Sequence, residues 1–361
     1  MTTPTRLEIA HAAGRYAVLV GSGQLTHLPA RLSEERLIAD VIVVTCPPVW
    51  RLHGERLRAI CGGHEPLVIP DGERAKTLAT VARLFDGFVK RRADRSTVVI
   101  AVGGGVVGDV AGFASASYLR GLRVVQVPTT LLAQVDSAIG GKTGVNLPAG
   151  KNLVGAFHAP SLVVCDPDVL GTLPRREFRS GLYEAIKYGV IRSRPLFESI
   201  AGSLPALFDR QADVLTPLIS ECCRIKAEVV TADERESDLR RILNFGHTVG
   251  HALEAITKYR RYRHGEAVGL GMLAAASLSA ARRELPADDL QAIKDVITHM
   301  GPLPATSDLK VADAIDAVRL DKKVAQGTLH FVLPVRIGET RIVDDVTPRQ
   351  LTGALKAIGL R

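Results

Sequence analysis

The first half of the chain alternates short aliphatic runs with segments of helical periodicity. The segment from 76 to 90 places Val81, Leu84 and Phe88 at the spacing of one helix face. The runs rich in Val and Ile predict strands at 42–45, 66–69, 97–102, 123–127 and 162–166. Alternation of strands with helices is typical of a parallel sheet that is covered by helices. The N-terminal part is therefore predicted to be an α/β domain.

Helical spacing dominates after about residue 173. Helices are predicted at 177–190, 211–230, 247–257 and 266–282, and short strands only near 329–333 and 341–343. The segment 266–282 is rich in Ala, and its small residues predict a buried, closely packed helix. We expect an α/β domain over 1–172, a mainly helical domain over 173–361, and a ligand site in the cleft between them.

Composition excludes several classes of protein. The chain has 361 residues with 46% hydrophobic and 23% charged positions, which is typical of globular domains. No apolar run approaches the roughly 18–20 residues of a membrane helix, and the N-terminus lacks the build of a secretory signal. The net charge of +8 is spread along a chain with 4% aromatic residues, which argues against nucleic-acid binding. Five cysteines without CxxC spacing favour a soluble cytoplasmic protein.

A glycine-rich segment directly follows the strand predicted at 97–102. Gly103, Gly105 and Gly108 satisfy the pattern G-x-G-x-x-G, and a helix is predicted at 110–118. Such a loop lets the backbone approach a diphosphate at the helix N-terminus, although a plain glycine-rich turn is the alternative. About 20 residues further on, Pro128 stands where the standard dinucleotide fold has an acidic residue. The pattern therefore indicates a nucleotide in a non-standard arrangement.

Three histidines fall close together in the second half. His247 and His251 are four residues apart and share a helix face, and His264 follows. This spacing fits either a hydrogen-bonded pair or a metal site. With a carboxylate from elsewhere, the imidazoles would favour Zn²⁺. The spacing alone leaves open which two histidines would bind.

Several cations have neighbours that suit anion binding. Lys142 lies among small residues, and Lys151 precedes Asn152, so that both lysines can approach a phosphate or carboxylate closely. Lys187 is three residues after Glu184, which also fits an ordinary ion pair on one helix. The default alternative for four further cations is a solvated surface position; these are Lys226, Arg240, Lys322 and Lys323.

Eight longer sequence motifs extend these observations: GGGVVGDVAGFASASYLRG, QVPTTLLAQVDSAIGGKTGVN, GKNLVGAF, GLYEAIKYG, KAEVVTADERE, LNFGHTVGHALE, HGEAVGLGM and DKKV. Taken together, these segments resemble the 3-dehydroquinate synthase family of sugar-phosphate cyclases from about Pro70 to Val346. The resemblance implies a Rossmann-like N-terminal domain, a helical C-terminal domain, bound NAD⁺ and a divalent metal, usually zinc, with cobalt as a substitute. It also implies a homodimer that acts in the shikimate pathway of aromatic amino acid biosynthesis.

The resemblance also implies roles for individual residues. The metal ligands would be Glu184, His247 and His264, with His251 facing the substrate instead. The residues implied to contact NAD⁺ are Glu73, Lys76, Gly104, Gly105, Val106, Asp109, Thr129, Thr130 and Thr172. Those implied to contact substrate are Asp136, Lys142, Asn152, Lys187, Lys226, Arg240, Asn244, His251 and one of Lys322 or Lys323. Lys142 is implied for NAD⁺ as well as for substrate, Lys151 would touch either ligand, and Arg120 would reach the phosphate of the partner subunit's substrate.

The implied substrate is 3-deoxy-D-arabino-heptulosonate 7-phosphate. NAD⁺ transiently oxidises its C5 hydroxyl, phosphate leaves by β-elimination, the hydride returns, and an intramolecular aldol closure gives 3-dehydroquinate. One alternative is a sibling cyclase such as a 2-epi-5-epi-valiolone synthase, whose substrate lacks the carboxylate that Lys226, Arg240 and Asn244 would serve. A second is an NAD-dependent polyol dehydrogenase, which would accumulate NADH. A binding protein without catalytic activity and a nucleic-acid binder are the remaining alternatives.

Overall fold

The computed structural model describes residues 4–37, 40–235, 239–324 and 329–361, and in the segment 321–324 the backbone alone. The chain forms two compact units. The first unit comprises Met1–Pro174 and Ala212–Glu234, and the second comprises Arg175–Gln211 and Arg235–Arg361. The sequence analysis places a single boundary after residue 172, whereas in the structure the chain returns to the first unit for residues 212–234.

The described residues contain eleven strands. They are β1 Thr5–His11, β2 Gly14–Val20, β3 Val41–Thr45, β4 Leu67–Val68, β5 Val98–Gly103, β6 Arg123–Pro128, β7 Lys142–Leu147, β8 Gly150–Phe157, β9 Leu162–Cys165, β10 Phe331–Arg336 and β11 Glu339–Val343. The five strands predicted in the first half are confirmed as β3, β4, β5, β6 and β9. The two near the end are confirmed as β10 and β11.

The same part of the chain contains twelve α-helices. They are α1 Leu28–Glu34, α2 Pro47–Leu57, α3 Leu78–Lys90, α4 Gly105–Ser117, α5 Arg175–Arg192, α6 Arg194–Phe208, α7 Ala212–Ala232, α8 His247–Ile256, α9 His264–Ala281, α10 Ala287–His299, α11 Val311–Val324 and α12 Pro348–Ala357. The helix predicted after the glycine loop begins at Gly105, five residues earlier than expected.

The first unit is built on a seven-stranded sheet in the order β1-β2-β9-β6-β5-β3-β4. All neighbours pair in parallel except the β1–β2 hairpin at one edge. The predicted parallel α/β sheet is therefore confirmed. The hairpins β1–β2 and β7–β8 were not predicted, because their strands lack the continuous Val and Ile runs of a sheet buried on both faces.

One hydrophobic core of this unit lies between the sheet and helices α3 and α4. Val99 and Ala101 of β5 pack with Leu84 and Phe88 of α3 and with Val110 of α4. Thr77 precedes α3, and its side-chain oxygen accepts a hydrogen bond from the backbone N–H of Thr80 at 3.2 Å. This N-cap fixes where α3 begins.

The second unit is organised around the antiparallel helices α8 and α9. Nearly the whole of α9 is buried, as its small residues predict. A Cβ added at Gly271 of α9 would overlap the carbonyl oxygen of Gly246, and one added at Gly250 of α8 would lie 3.1 Å from the backbone of Ala267. The two helix backbones therefore pass one another so closely that Gly271 leaves no room for a Cβ and Gly250 leaves very little.

Among the described residues, no helix is both long enough and apolar enough to cross a bilayer.

We expect Gly271→Ala to lower the free energy of unfolding by about 3 kcal/mol or more, because the new methyl group must displace backbone and not a mobile side chain. Urea unfolding followed by far-UV circular dichroism measures this. The matched control is Gly202→Ala on α6, where an added Cβ meets nothing within 4 Å. That substitution should leave stability unchanged or raise it by up to about 1 kcal/mol. Equal stabilities of the two variants would contradict the packing argument.

Candidate active site

One glutamate and three histidines meet in the second unit. Glu184 comes from α5, His247 and His251 from α8, and His264 is the first residue of α9. The nearest ring nitrogens of the three histidines all lie within 4.8 Å of one another. Oε1 of Glu184 lies 3.8 Å from Nε2 of His247 and 3.5 Å from Nε2 of His264. The structure therefore brings together the three residues that the resemblance implies as metal ligands, with His251 beside them.

In two of the histidines, the Nδ1 atom lies within hydrogen-bond distance of an acceptor. Nδ1 of His247 lies 3.1 Å from the carbonyl oxygen of Phe245, and Nδ1 of His264 lies 3.2 Å from Oε2 of Glu254. Because a carbonyl and a carboxylate can only accept, each Nδ1 carries the hydrogen and donates it. The lone pair of each ring is then on Nε2, which faces Glu184. This is the tautomer that a metal-binding imidazole needs.

The carboxylate of Glu184 suits a cation. Its side chain is fully buried, and neither oxygen receives a hydrogen bond. The Nζ of Lys187 lies 2.6 Å from Oε2 and forms an ion pair with the carboxylate. Two tetrahedral zinc ligands at about 2.0–2.1 Å from the ion would be about 3.3 Å apart. The observed separations of 3.5 and 3.8 Å are close to this, so the residues present fit a divalent metal.

The electrostatic environment of the cluster keeps His247 in its neutral form. Burial lowers the pKa of His247 well below its usual value, and the charge of Lys187 adds to this effect. His247 is therefore neutral at pH 7, as a metal ligand must be. The ordinary ion pair between Glu184 and Lys187 is also present, and Lys187 is only 1% exposed. The ion pair therefore lies beside the residues that the resemblance implies as metal ligands.

A second cluster lies in the first unit and centres on Lys76. The Nζ of Lys76 lies 2.5 Å from Oδ2 of Asp109 on α4 and donates to Oδ1 of Asn152. The side-chain amide of Asn146 donates to Glu73 at 2.8 Å, and its oxygen accepts from the backbone N–H of Asn152. Burial raises the pKa of Asp109, and Lys76 only partly offsets this. Three residues implied for NAD⁺ and one implied for substrate therefore share one polar network.

The glycine loop leads from β5 into α4 and adjoins the end of β6. The backbone N–H of Thr129 donates to Gly103 at 2.9 Å, and a Cβ on Gly104 would lie 3.0 Å from the side chain of Thr130. A Cβ on Gly108 would lie 2.7 Å from the side chain of Gln126 of β6. The loop thus combines close helix–strand packing with a helix N-terminus at Gly105. Val106 lies in the first turn of this helix, next to the other residues implied for NAD⁺.

Lys226 and Arg240 are both buried, so the alternative of a solvated surface position is wrong for these two residues. Lys226 of α7 is 5% exposed, and its Nζ lies 2.5 Å from Oδ1 of Asp136. Arg240 is 3% exposed on the short turn Leu239–Asn244, which ends at Asn244 and leads into α8. A buried cation needs compensating charge, which Asp136 supplies to Lys226.

The remaining implied residues that the structure describes in full are half-buried or exposed. Lys142 is exposed at the start of β7, and Lys151 is half-buried in β8. Arg120 is exposed after α4 and has φ +68°. Thr172 is exposed and lies 3.1 Å from Nε2 of His53. The side chains of Lys322 and Lys323 lie outside the described part of the structure.

Two residues with evident contacts escaped the sequence analysis. Glu254 lies seven residues after His247, on the same face of α8, and this spacing could have revealed it. Asn146 joins Glu73 to Asn152 across the β7–β8 hairpin. No local pattern marks it, because the hairpin itself was not predicted.

Comparison with known proteins places both halves of the chain in one family. Residues 66–180 match the family described as 3-dehydroquinate synthase N-terminal, and residues 181–324 match 3-dehydroquinate synthase C-terminal. The 3-dehydroquinate synthase of Solibacter usitatus (strain Ellin6076) is 49% identical over 308 residues, covering 85% of this chain and 86% of that protein.

Solved structures of sugar-phosphate cyclases share the fold at lower identity. The 2-epi-5-epi-valiolone synthase of Streptomyces hygroscopicus subsp. jinggangensis 5008, solved with NAD⁺ and Zn²⁺ bound, is 30% identical with a TM-score of 0.86, covering 95% of this chain and 96% of that one. A 2-deoxy-scyllo-inosose synthase complexed with carbaglucose-6-phosphate, NAD⁺ and Co²⁺ is 26% identical with a TM-score of 0.84, covering 97% and 99%. These cyclases of other specificity are more distant than the dehydroquinate synthase relative. The sequence matches and the shared fold show that the chain belongs to the 3-dehydroquinate synthase family.

Proposed function

We propose that the chain converts 3-deoxy-D-arabino-heptulosonate 7-phosphate to 3-dehydroquinate and phosphate, with NAD⁺ bound by the first unit and a divalent metal bound by the second. The observation that carries the proposal is the buried Glu184, whose Oε1 faces the Nε2 atoms of His247 and His264 while Lys187 lies beside Oε2. Glu184, His247 and His264 would hold Zn²⁺ or Co²⁺. Cyclases of the same fold were solved with NAD⁺ and with these metals, which supports both assignments.

Both groups would supply chemistry that side chains lack: NAD⁺ takes up and returns a hydride, and the metal lowers the pKa of an alcohol. The chain's own contribution is binding and charge. On the NAD⁺ side we assign Glu73, Lys76, Gly104, Gly105, Val106, Asp109, Thr129, Thr130 and Thr172. Among these, the Lys76–Asp109 contact holds the ammonium beside the first helix turn after the glycine loop. A cation at this position favours a diphosphate.

The departing phosphate needs positive charge and hydrogen-bond donors. We assign this task to Lys142, Lys151, Asn152, Lys187, Asn244, His251, one of Lys322 or Lys323, and Arg120 of a partner subunit. Lys187 is held beside Glu184 at 2.6 Å, so its ammonium position is fixed before substrate arrives. Such preorganised charge stabilises the leaving group without reorganisation during elimination.

The substrate carboxylate distinguishes this reaction from those of sibling cyclases. We assign Arg240 to the carboxylate, because a guanidinium binds it through two parallel hydrogen bonds. Lys226 joins it, and Asp136 orients Lys226 through two contacts of 2.5 Å with its Nζ. A cyclase whose substrate lacks a carboxylate would gain nothing from this buried arginine.

We further propose a cytoplasmic homodimer. All five cysteines are buried thiols, which suits a reducing compartment. Arg120 is exposed with φ +68°, at the end of a helix, where a partner subunit can reach it.

The first test is phosphate release from the heptulosonate phosphate in the presence of NAD⁺ and Zn²⁺, with absorbance at the NADH band recorded in parallel. We expect phosphate release with no net NADH, because the hydride returns in each turnover. NADH accumulating without phosphate would instead indicate a polyol dehydrogenase. Turnover of a neutral sugar phosphate alone would indicate a sibling cyclase.

Removal of the metal should abolish phosphate release, and Zn²⁺ or Co²⁺ should restore it. The physical reason is that the Glu184 cluster would lose the cation that binds the reacting hydroxyls. Activity is measured after exhaustive dialysis against a chelator and again after metal is added, with circular dichroism as the control for folding. Full activity in a sample shown to be metal-free by elemental analysis would refute the assignment.

Arg240→Ala should keep NAD⁺ affinity but lose at least about 10-fold in turnover, because hydrogen bonds to charged groups contribute about 1.5–3 kcal/mol. The turnover of Arg240→Lys should fall between that of the parent chain and that of Arg240→Ala, since lysine keeps the charge but not the paired hydrogen bonds. Arg349→Ala on the exposed face of α12 is the matched control and should behave as the parent chain. Unchanged kinetics for Arg240→Ala would remove this residue from the substrate site.

A further inference from the structure

Glu254 is a buried carboxylate on the helix that carries two histidines of the cluster. It follows His247 by seven residues and His251 by three, so all three share one face of α8. Its side chain is 5% exposed, and its Oε2 lies 3.2 Å from Nδ1 of His264 on the neighbouring helix. It therefore touches a histidine that we assign to the metal, on the side away from Glu184.

The contact follows from the register of the helix pair. Along α8 and α9, Gly246 meets Gly271, Gly250 meets Ala267, and Glu254 meets His264. The first two of these contact pairs bring the backbones so close together that, at the third pair, the carboxylate of Glu254 reaches the imidazole of His264 directly. The position of Glu254 is thus set by the packing of the whole pair.

We propose that Glu254 is a positioning residue for the metal centre, acting through His264. This inference rests on the proposed function, because it presupposes the metal. The carboxylate keeps the hydrogen on Nδ1 and fixes the ring plane of His264. It also makes Nε2 a stronger electron-pair donor toward a metal ion.

A purely structural role would have a different signature. A carboxylate that only stabilised the helix pair would change the free energy of unfolding of the metal-free protein and leave the intrinsic metal affinity unchanged. A positioning residue changes the affinity and the ligand field of the metal even where the metal-free fold is intact. The two roles are therefore separable by measurements that do not depend on turnover.

The experiment measures Co²⁺ affinity by competition with a chromophoric chelator, together with the visible absorption spectrum of the bound Co²⁺. We expect Glu254→Gln to weaken binding by about 10-fold and Glu254→Ala by up to about 100-fold, with a shifted spectrum. The glutamine variant is almost isosteric and keeps an acceptor, so it provides the result if the alanine variant does not fold.

Asp289→Asn is the matched control. Asp289 is also a buried carboxylate of the second unit, 8% exposed, and it accepts hydrogen bonds from Arg194 at 2.7 Å and from the backbone of Ile337. Its substitution should lower the melting temperature without changing Co²⁺ affinity. A loss of affinity in Asp289→Asn equal to that in Glu254→Gln would mean that general destabilisation explains both, and would overturn the inference.

The results separate this inference from the proposed function. If the parent chain fails to bind Co²⁺, or if His264→Ala binds it as tightly as the parent chain, the proposed metal centre itself is wrong. If the parent chain binds Co²⁺ through His264 and both Glu254 variants match its affinity and spectrum, only the role of Glu254 is overturned. Weaker binding with a shifted spectrum in Glu254→Gln supports it.

Discussion

The close approach of α8 and α9 is the constraint on which the candidate metal centre depends. Gly246, Gly250 and Gly271 leave no room for a side chain between the two backbones. This spacing lets Glu254, near the end of α8, contact His264, at the start of the antiparallel helix α9. Three residues without any reactive group therefore determine the geometry of the residues that have one.

A second carboxylate fixes the start of α9 against α5. Glu266 is fully buried and accepts hydrogen bonds from Arg176 and Arg179 of α5 and from the backbone of Arg263. The backbone N–H of Gly265 donates to the hydroxyl of Ser180, one turn before Glu184. Although burial raises the pKa of Glu266, the arginines and the backbone bond outweigh it, and the net pKa is lowered. The carboxylate thus stays charged and holds His264 opposite Glu184.

The sequence predicted the parallel sheet and the helical second half because both depend on periodic apolar positions. It did not predict the β7–β8 hairpin, whose glycines, lysine and asparagines have low strand preference. The spacing of His247 and His251 marks a helix face, but the orienting contact between Glu254 and His264 depends on how α8 and α9 pack. Local sequence patterns therefore located the reactive residues, whereas the neighbouring groups that orient them could be identified only from the three-dimensional structure.

The return of the chain to the first unit for residues 212–234 has a consequence for synthesis order. Helix α7 supplies Lys226 to Asp136 and Cys223 to the carbonyl oxygen of Gln134, and Glu234, two residues after the helix, accepts a hydrogen bond from the backbone N–H of Ala12. On the ribosome, β9 completes the sheet well before α7 emerges, and the intervening segment belongs to the other unit. A fragment that ends at residue 174 would therefore leave these positions without their partners. The two halves of the gene are not interchangeable modules, and exchange between relatives must carry residues 212–234 along with the sheet.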